Sequence, residues 1–469
     1  MTRAGLRAAV PPAPPAPPLA DPGAFGIVDE LNCYFDSPAE PNNVHVEIWL
    51  PGHLDPDRLR TAVTAMLAGQ PRAGVRRAGH RWWHSGYAWQ FAPQADVDPV
   101  SAASWRTEAD LDEVRARFLA AAPPPDRSPL FRLLLARGPG QDSLILNAHH
   151  AAFDGRSCLR LLRLIAEHYD ARPAAPPQPP PGIEPLSGIQ PPPGVQSSPG
   201  TGPPPGPGPR VGRFWPRAGH AVRIAPRHAG GRRHAGGRRA RRAPGYGFAL
   251  LGWPGVPAAP QPDHGPHVTV NDVLIAALIQ AIARWNAAAR RRPGRVRISM
   301  PVDARPAGRG GDLGNLSRLC TVAADPVGTA ALTAVVAAQT RRAKQQPGPP
   351  VGPALAAAAR APAPAPVKRG MVRLALRGLG RLECDTSLLS NLGNVTDPPR
   401  FGALSPARMW FSTSTHMPVG LSVGAITAGG RLQLCFRYRR ALFDEDAARD
   451  FAAGYAAALA ELTGTETGP

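Results

Sequence analysis

Between residues 172 and 210 the chain carries 16 prolines in 39 positions. Such a run supplies few backbone donors, favours extended polyproline geometry and cannot share a core with its flanks. It leads into a tandem hexapeptide, His228-Ala-Gly-Gly-Arg-Arg233 and then His234-Ala-Gly-Gly-Arg-Arg239. Residues 172–246 hold twelve arginines and one acid, Glu184, and so contribute +11 of the formal net charge of +20. A block of like charge of this kind reads as solvated, disordered chain. Arg-Gly repeats also wrap RNA, but here the excess sits in a loop between two folded halves, and nucleic acid is not the expected partner. The expected organisation is therefore a disordered Pro-rich segment at 1–22, a first lobe at 23–171, a disordered linker at 172–243 and a second lobe at 244–465.

Composition removes several classes. There is no Gly-X-Y period, so collagen is excluded. No charge-free run approaches the roughly 20 apolar residues that a membrane helix needs. Prolines from Pro11 onward break any signal-peptide core. The five cysteines, Cys33, Cys158, Cys320, Cys384 and Cys435, are far apart with no Cys-x-x-Cys, so neither a zinc ribbon nor a disulfide framework is expected. Buried free thiols in a reduced, cytoplasmic protein fit that spacing; a monomer is expected.

Both halves read as mixed α/β. Val44–Leu50 alternates at period 2, as a half-buried strand does. Asp55 then caps a helix with Pro56 at its first position. Asp142–His149 is a strand. Ser157–Tyr169 is a helix whose apolar stripe is Cys158, Leu161, Leu162, Ile165 and Tyr169. In the second half, Thr269 to Asp272 resembles a capping box with Asp in place of Glu, opening a helix to about Trp285. Arg295–Val302 alternates as a strand and Thr329–Gln346 is a helix. The runs 420–427 and 431–438, with Gly429-Gly430 between them, form a hairpin. Phe443–Leu462 closes the chain as a helix.

The chemistry sits at His149-His150-Ala-Ala-Phe-Asp154-Gly155, where a strand ends and a helix begins. Consecutive strand side chains point to opposite faces, so the two histidines do not serve one site and are poor joint metal ligands; no metal is expected. Gly155 suits a tight turn. Asp154 either orients a histidine or pairs with a buried cation.

His-His-x-x-x-Asp-Gly resembles the signature of the coenzyme-A-dependent acyltransferase superfamily. That superfamily includes nonribosomal peptide synthetase condensation domains, polyketide-associated acyltransferases and wax ester synthases. The resemblance extends to Asp29–Tyr34, similar to the family's opening strand, and to Leu54–Arg60 and Val270–Ile275, similar to helix starts. It also takes in Met300-Pro-Val-Asp-Ala-Arg305-Pro, Gly314-Asn315 and Ser390-Asn391-Leu392-Gly393. It implies two chloramphenicol acetyltransferase-like lobes in a V-shaped pseudo-dimer with a tunnel between them. His150 would be the base that deprotonates a hydroxyl or amine attacking a thioester, a task suited to an imidazole near pH 7. Asp154 would pair with Arg305, and His149 would be structural. Ser390, Asn391 and the backbone at Gly393 are candidate oxyanion donors, or simply a turn after a strand. The implied co-substrate is an acyl-CoA or a phosphopantetheinyl acyl carrier, with no tightly bound cofactor. An acidic carrier protein would be drawn to the basic surface. The expected activity is acyl transfer in natural-product or lipid metabolism. The alternatives are a carrier-dependent peptide-bond-forming condensation enzyme and a non-catalytic carrier-binding module.

Two rival motifs are present. Gly420-Leu-Ser422-Val-Gly424 matches Gly-x-Ser-x-Gly, but no helix follows it to make a nucleophile elbow. His149 and Asp154 match His-x-x-x-x-Asp, which would make His149 the base. Trp82, Trp83, His84, Tyr87 and Trp89 either line a substrate pocket or belong to the core, and His416 either faces the tunnel or is structural.

Overall fold

The computed structural model describes residues 23–171, 221–228, 245–259, 267–306, 311–326, 328–345, 353–379 and 385–465. Residues 1–22, Cys384 and most of the 172–243 linker lie outside that range.

The elements of the first half are α1 Ile27–Phe35, β1 Asn43–Leu50, α2 Pro56–Gly69, β2 Val75–Arg77, β3 Trp89–Phe91, β4 Val100–Ser104, α3 Glu108–Phe118, β5 Phe131–Gly138, β6 Gln141–His149 and α4 Gly155–Asp170. The second half has β7 Tyr246–Trp253, α5 Val270–Ala288, β8 Val296–Asp303, β9 Ser317–Ala324, α6 Thr329–Gln345, α7 Pro353–Arg360 and α8 Ala365–Leu379. It ends with β10 Ser387–Val395, β11 Arg408–Thr413, β12 Leu421–Ala428, β13 Arg431–Arg439 and α9 Glu445–Thr463. One mixed sheet runs β11-β1-β6-β5-β4, a second runs β7-β13-β12-β10-β8-β9, and β2 pairs with β3.

Local signals place the helix starts and the hairpin as expected, whereas β1 is buried on both faces rather than half-buried. Asp55 Oδ1 accepts the backbone N–H of Asp57 at 2.9 Å and of Arg58 at 3.2 Å, with Pro56 following, so α2 starts there. Thr269 donates to Asp272 from its backbone N at 2.8 Å and its hydroxyl at 2.7 Å, the shortened capping box of α5. The β12–β13 turn has Gly429 and Gly430 at φ +56° and +72°, the left-handed pair that a two-residue hairpin requires.

Three expectations are corrected. Asp29–Tyr34 is not a strand but the body of helix α1. Leu31 and Tyr34, three residues apart, bury 1 % and 0 % exposed in a cluster with Ala358, Ala359, Ala365 and Val372, and that i, i+3 stripe decides for helix. Residues 221–228 do not belong to the linker. Ile224 and Ala225 are buried on the second core, and the Asn286 side chain takes the Ala225 N–H at 2.8 Å while giving its amide to the Arg223 carbonyl at 3.0 Å.

The third correction concerns the division into halves. Strand β11, from the second half of the chain, completes the first sheet by pairing antiparallel with β1, Val46 opposite Phe411. Its Met409 and Phe411 enter the first core, and Trp410 the cluster on the opposite face of that sheet. The strand lies so close to β12 that a Cβ on Gly424 would stand 2.0 Å from the Phe411 carbonyl oxygen. Ser422 Oγ donates to the Thr413 carbonyl at 2.6 Å, and Gly420 has φ +68°. All three fixed positions of the Gly-x-Ser-x-Gly match therefore have packing roles, with Ser422 inside a strand and 0 % exposed.

Candidate active site

Strand β6 lies between β1 and β5 and delivers the motif to the end of the first sheet. Leu144, Leu146 and Ala148 fill the first core, and the alternate residues face the other way, as the period of a strand demands. His149 belongs to that second set and is 0 % exposed. Its Nδ1 accepts the Ala151 N–H at 3.0 Å, so the proton of the neutral ring is on Nε2. That nitrogen stands 4.0 Å from Asp36 Oδ2. Burial drives the His149 pKa down to about 4. It is a sealed, neutral imidazole.

His150, one residue beyond the strand, is half-buried. Its backbone is held from two sides: the N–H donates to the Asn42 carbonyl at 3.0 Å, and its carbonyl accepts the Asn315 amide at 2.7 Å. Its ring contacts its own backbone carbonyl, and its Nδ1 lies 3.5 Å from the Asn315 amide nitrogen. Among the described residues no hydrogen bond engages Nε2. Burial lowers the His150 pKa from 6.5; its carbonyl contact and the charge of Asp154 oppose that shift, while His416 and Arg437 add to it.

Asp154 orients neither histidine. Its Oδ1 accepts the Ser157 N–H at 2.8 Å and Arg305 Nη2 at 2.9 Å, and its Oδ2 accepts the Leu316 N–H at 3.0 Å. Arg305 also donates to Ser157 Oγ at 2.8 Å, to Asp303 at 3.0 Å and to the Asp312 carbonyl at 3.2 Å. The Asp154 and Arg305 side chains are 6 % and 3 % exposed. The pair fastens the start of α4 to the loop between β8 and β9, and the loop brings Asn315 to His150.

Gly155 is the first residue of α4 and not a turn. A Cβ there would stand 2.7 Å from Phe411 Cε2 and 2.8 Å from Leu392 Cδ2. Gly155→Ala should therefore overpack this junction and lower stability by about 1–3 kcal/mol, read as a shifted denaturant midpoint with an unchanged slope.

Ser390, Asn391 and Gly393 lie within β10, where the register with β12 shifts between Asn391 and Asn394. Gly393 has φ +78° and its N–H bonds Asn391 Oδ1 at 2.8 Å. Leu392 reaches Gly155, but among the described residues none of the three candidates hydrogen-bonds His150.

Several neighbours of the motif escape a local reading. Asn42 receives the Ser414 hydroxyl at 2.8 Å and gives its amide to Asn32 of α1 at 2.8 Å. Arg437 of β13 is fully buried and donates to the Asn43 carbonyl at 3.0 Å and its Oδ1 at 2.5 Å. It lies over the Tyr246 ring at 4.2 Å, and burial pulls its pKa down to about 10. His416 sits 3.8 Å from Glu40. The aromatic set divides: Trp89 is buried, while Trp82 and Trp83 are 70 % and 52 % exposed.

Cys33, Cys158, Cys320 and Cys435 are buried free thiols. Among the described residues no three His, Cys, Asp or Glu side chains form a metal-binding group, and no helix is long and apolar enough to cross a membrane. A cavity of about 750 Å³ bounded by Trp49, Arg115, Phe248, Leu250 and Trp410 does not include His150 or Asp154.

No family model matches the chain. The uncharacterized protein Rv2305 of Mycobacterium tuberculosis (strain H37Rv) is 29 % identical over 437 residues, covering 91 % of this chain and 96 % of its own. Among solved structures, the first condensation domain of the CDA synthetase superposes with a TM-score of 0.57 at 16 % identity, covering 94 % of this chain and 96 % of that one. The starter condensation domain of rhizomide synthetase RzmA, solved with C8-CoA and Leu-SNAC, has a TM-score of 0.58 at 13 % identity over 94 % and 93 %. The chain thus has the two-lobe condensation-domain fold, the fold of the superfamily that its His-His-x-x-x-Asp-Gly motif resembles.

Proposed function

On this condensation-domain fold, we propose that the protein is an acyltransferase using His150 as general base. An acyl thioester of coenzyme A or of a carrier-bound phosphopantetheine is the donor, and a hydroxyl or amine is the acceptor. The acceptor oxygen or nitrogen bonds the thioester carbonyl carbon while His150 Nε2 takes its proton. The tetrahedral intermediate then expels the thiolate, which recovers that proton and leaves as free thiol. The two substrates meeting at one imidazole, in a tunnel between the lobes, supply proximity without an acyl-enzyme. Ser390 and the Asn391 amide are the proposed oxyanion donors; the Gly393 N–H, an expected third, is held by Asn391 Oδ1 and acts on the orientation of that amide.

The observation that carries this reading is the contrast between two adjacent imidazoles. His149 is sealed with its Nδ1 occupied, whereas His150 is half-buried and, among the described residues, no hydrogen bond engages its Nε2. Asp154 is fully engaged elsewhere, so a His149–Asp154 relay has no geometric support. The likeness to RzmA, whose structure holds C8-CoA, supports a thioester donor, and the formal net charge of +20 suits an acidic carrier.

The test is a panel of acyl thioesters and acceptors read by thiol release. Release that depends on the acceptor supports the proposal; a panel without it counts against an acyltransferase and favours a carrier-binding module. With a hydroxyl acceptor the acid limb of kcat/KM should lie below pH 6.5. The sign follows from burial: it disfavours the imidazolium, so the free base persists to lower pH than in an exposed histidine. An acid limb centred above 6.5 would contradict this.

A further inference from the structure

A region outside the proposed chemistry combines projecting apolar side chains with two stretches of sequence that contain no acids. Helix α8 packs on α1 through Ala365, Lys368 and Val372. Lys368 pairs with Glu30 at 2.9 Å and donates to the Ala359 carbonyl at 2.8 Å, and Arg369 donates to the Asp36 carbonyl at 2.7 Å. These contacts fix which face is inward. The outward strip is Pro366, Val367, Gly370, Met371 and Leu374, without a charge; Val367 is 51 % exposed and Leu374 71 %. At the start of this helix the Ala365 N–H bonds the His84 carbonyl at 2.9 Å, which brings in the loop of Trp82 and Trp83. The Arg81 guanidinium stands 5.3 Å over the Trp83 ring.

Within both pieces every charged side chain in the sequence is a cation. Residues 326–382 contain nine Lys and Arg and no acid, and residues 70–95 contain four Arg and no acid. Exposed tryptophans beside an apolar helical strip need a partner that accepts rings and methyls on one side and cations at the rim. A folded protein would meet Trp82, 70 % exposed, only with a matching pocket. The lipid headgroup boundary accepts a projecting indole without one, and an anionic leaflet attracts the flanking arginines.

We infer that the Trp82–Trp83 loop and the outer strip of α8 form a peripheral docking surface for an anionic lipid bilayer. Because no described helix spans a membrane, the attachment is interfacial and reversible. The inference stands apart from the role of His150.

The test is co-sedimentation of the full chain with vesicles of phosphatidylcholine alone or with about one-third phosphatidylglycerol. The protein should partition onto the anionic vesicles and far less onto the neutral ones. The triple variant Trp82→Ala, Trp83→Ala, Leu374→Ser changes only exposed side chains and no charge. It should lose about tenfold or more in partitioning with an unaltered melting curve and unaltered thiol release. A second variant, with Arg232, Arg233, Arg238 and Arg239 changed to Gln, should keep most of the binding. Three results would overturn the inference: no vesicle association by the parent chain, association that the triple variant retains, or association lost only in the arginine variant. An acidic carrier protein whose binding the triple variant abolishes, with no vesicle binding by the parent, would reassign the surface to a protein partner.

Discussion

Arg305→Ala should lower the unfolding free energy by about 3–5 kcal/mol, because it leaves the buried Asp154 carboxylate without its cation. Two backbone N–H groups, from Ser157 and Leu316, remain on Asp154, and they do not neutralise its charge. Asp154→Ala should fall toward the lower end of the same range, because Arg305 keeps Asp303 at 3.0 Å. The double substitution should cost less than the sum of the two, since each single change already breaks the shared contact. The check is a denaturant-melt cycle on the three variants. Strict additivity would show that the two side chains are not coupled. Activity should fall with stability in each variant, since the pair holds the loop from which Asn315 reaches the His150 carbonyl.

How far the sequence alone reveals this site depends on the range of each interaction. The Asp55 and Thr269 caps, the Gly429-Gly430 turn and the strand ending at His149 are local and readable from spacing. The Asp29–Tyr34 segment is misread because a family likeness to a strand outweighs a two-residue stripe, Leu31 and Tyr34, whose partners lie on α7 and α8. The addition of β11 to the first sheet leaves no local trace: Met409, Trp410 and Phe411 look like any short strand, and only the distant β1 identifies their place. Gly424 is a trace of that crossing, since it yields room for the Phe411 carbonyl, but in the sequence it reads as part of a hydrolase motif. The clamps on the histidine backbone from Asn42 and Asn315, and the buried Arg437 behind them, join residues too far apart for any periodicity to connect. Asp154 and Arg305 are found together only through the family resemblance, since 151 positions separate them.

The largest functional effect is expected at His150. Without an imidazole, the attacking hydroxyl must lose its proton to water, so His150→Ala should slow acceptor-dependent thiol release by about 10²–10⁴-fold. The fold should persist, because the backbone N–H and carbonyl make the bonds to Asn42 and Asn315. Ser422→Ala removes only a hydroxyl bonded to the Thr413 carbonyl, and should leave the rate within a few-fold of the parent. His149→Ala opens a buried space and should act mainly on stability. Thiol release with and without acceptor, measured side by side for the parent, His150→Ala, His149→Ala and Ser422→Ala at matched folded fractions, therefore tests the central claim most directly. The account predicts acceptor-dependent release that collapses in His150→Ala alone. Parent-like release in His150→Ala, or a collapse confined to His149→Ala or Ser422→Ala, would contradict it.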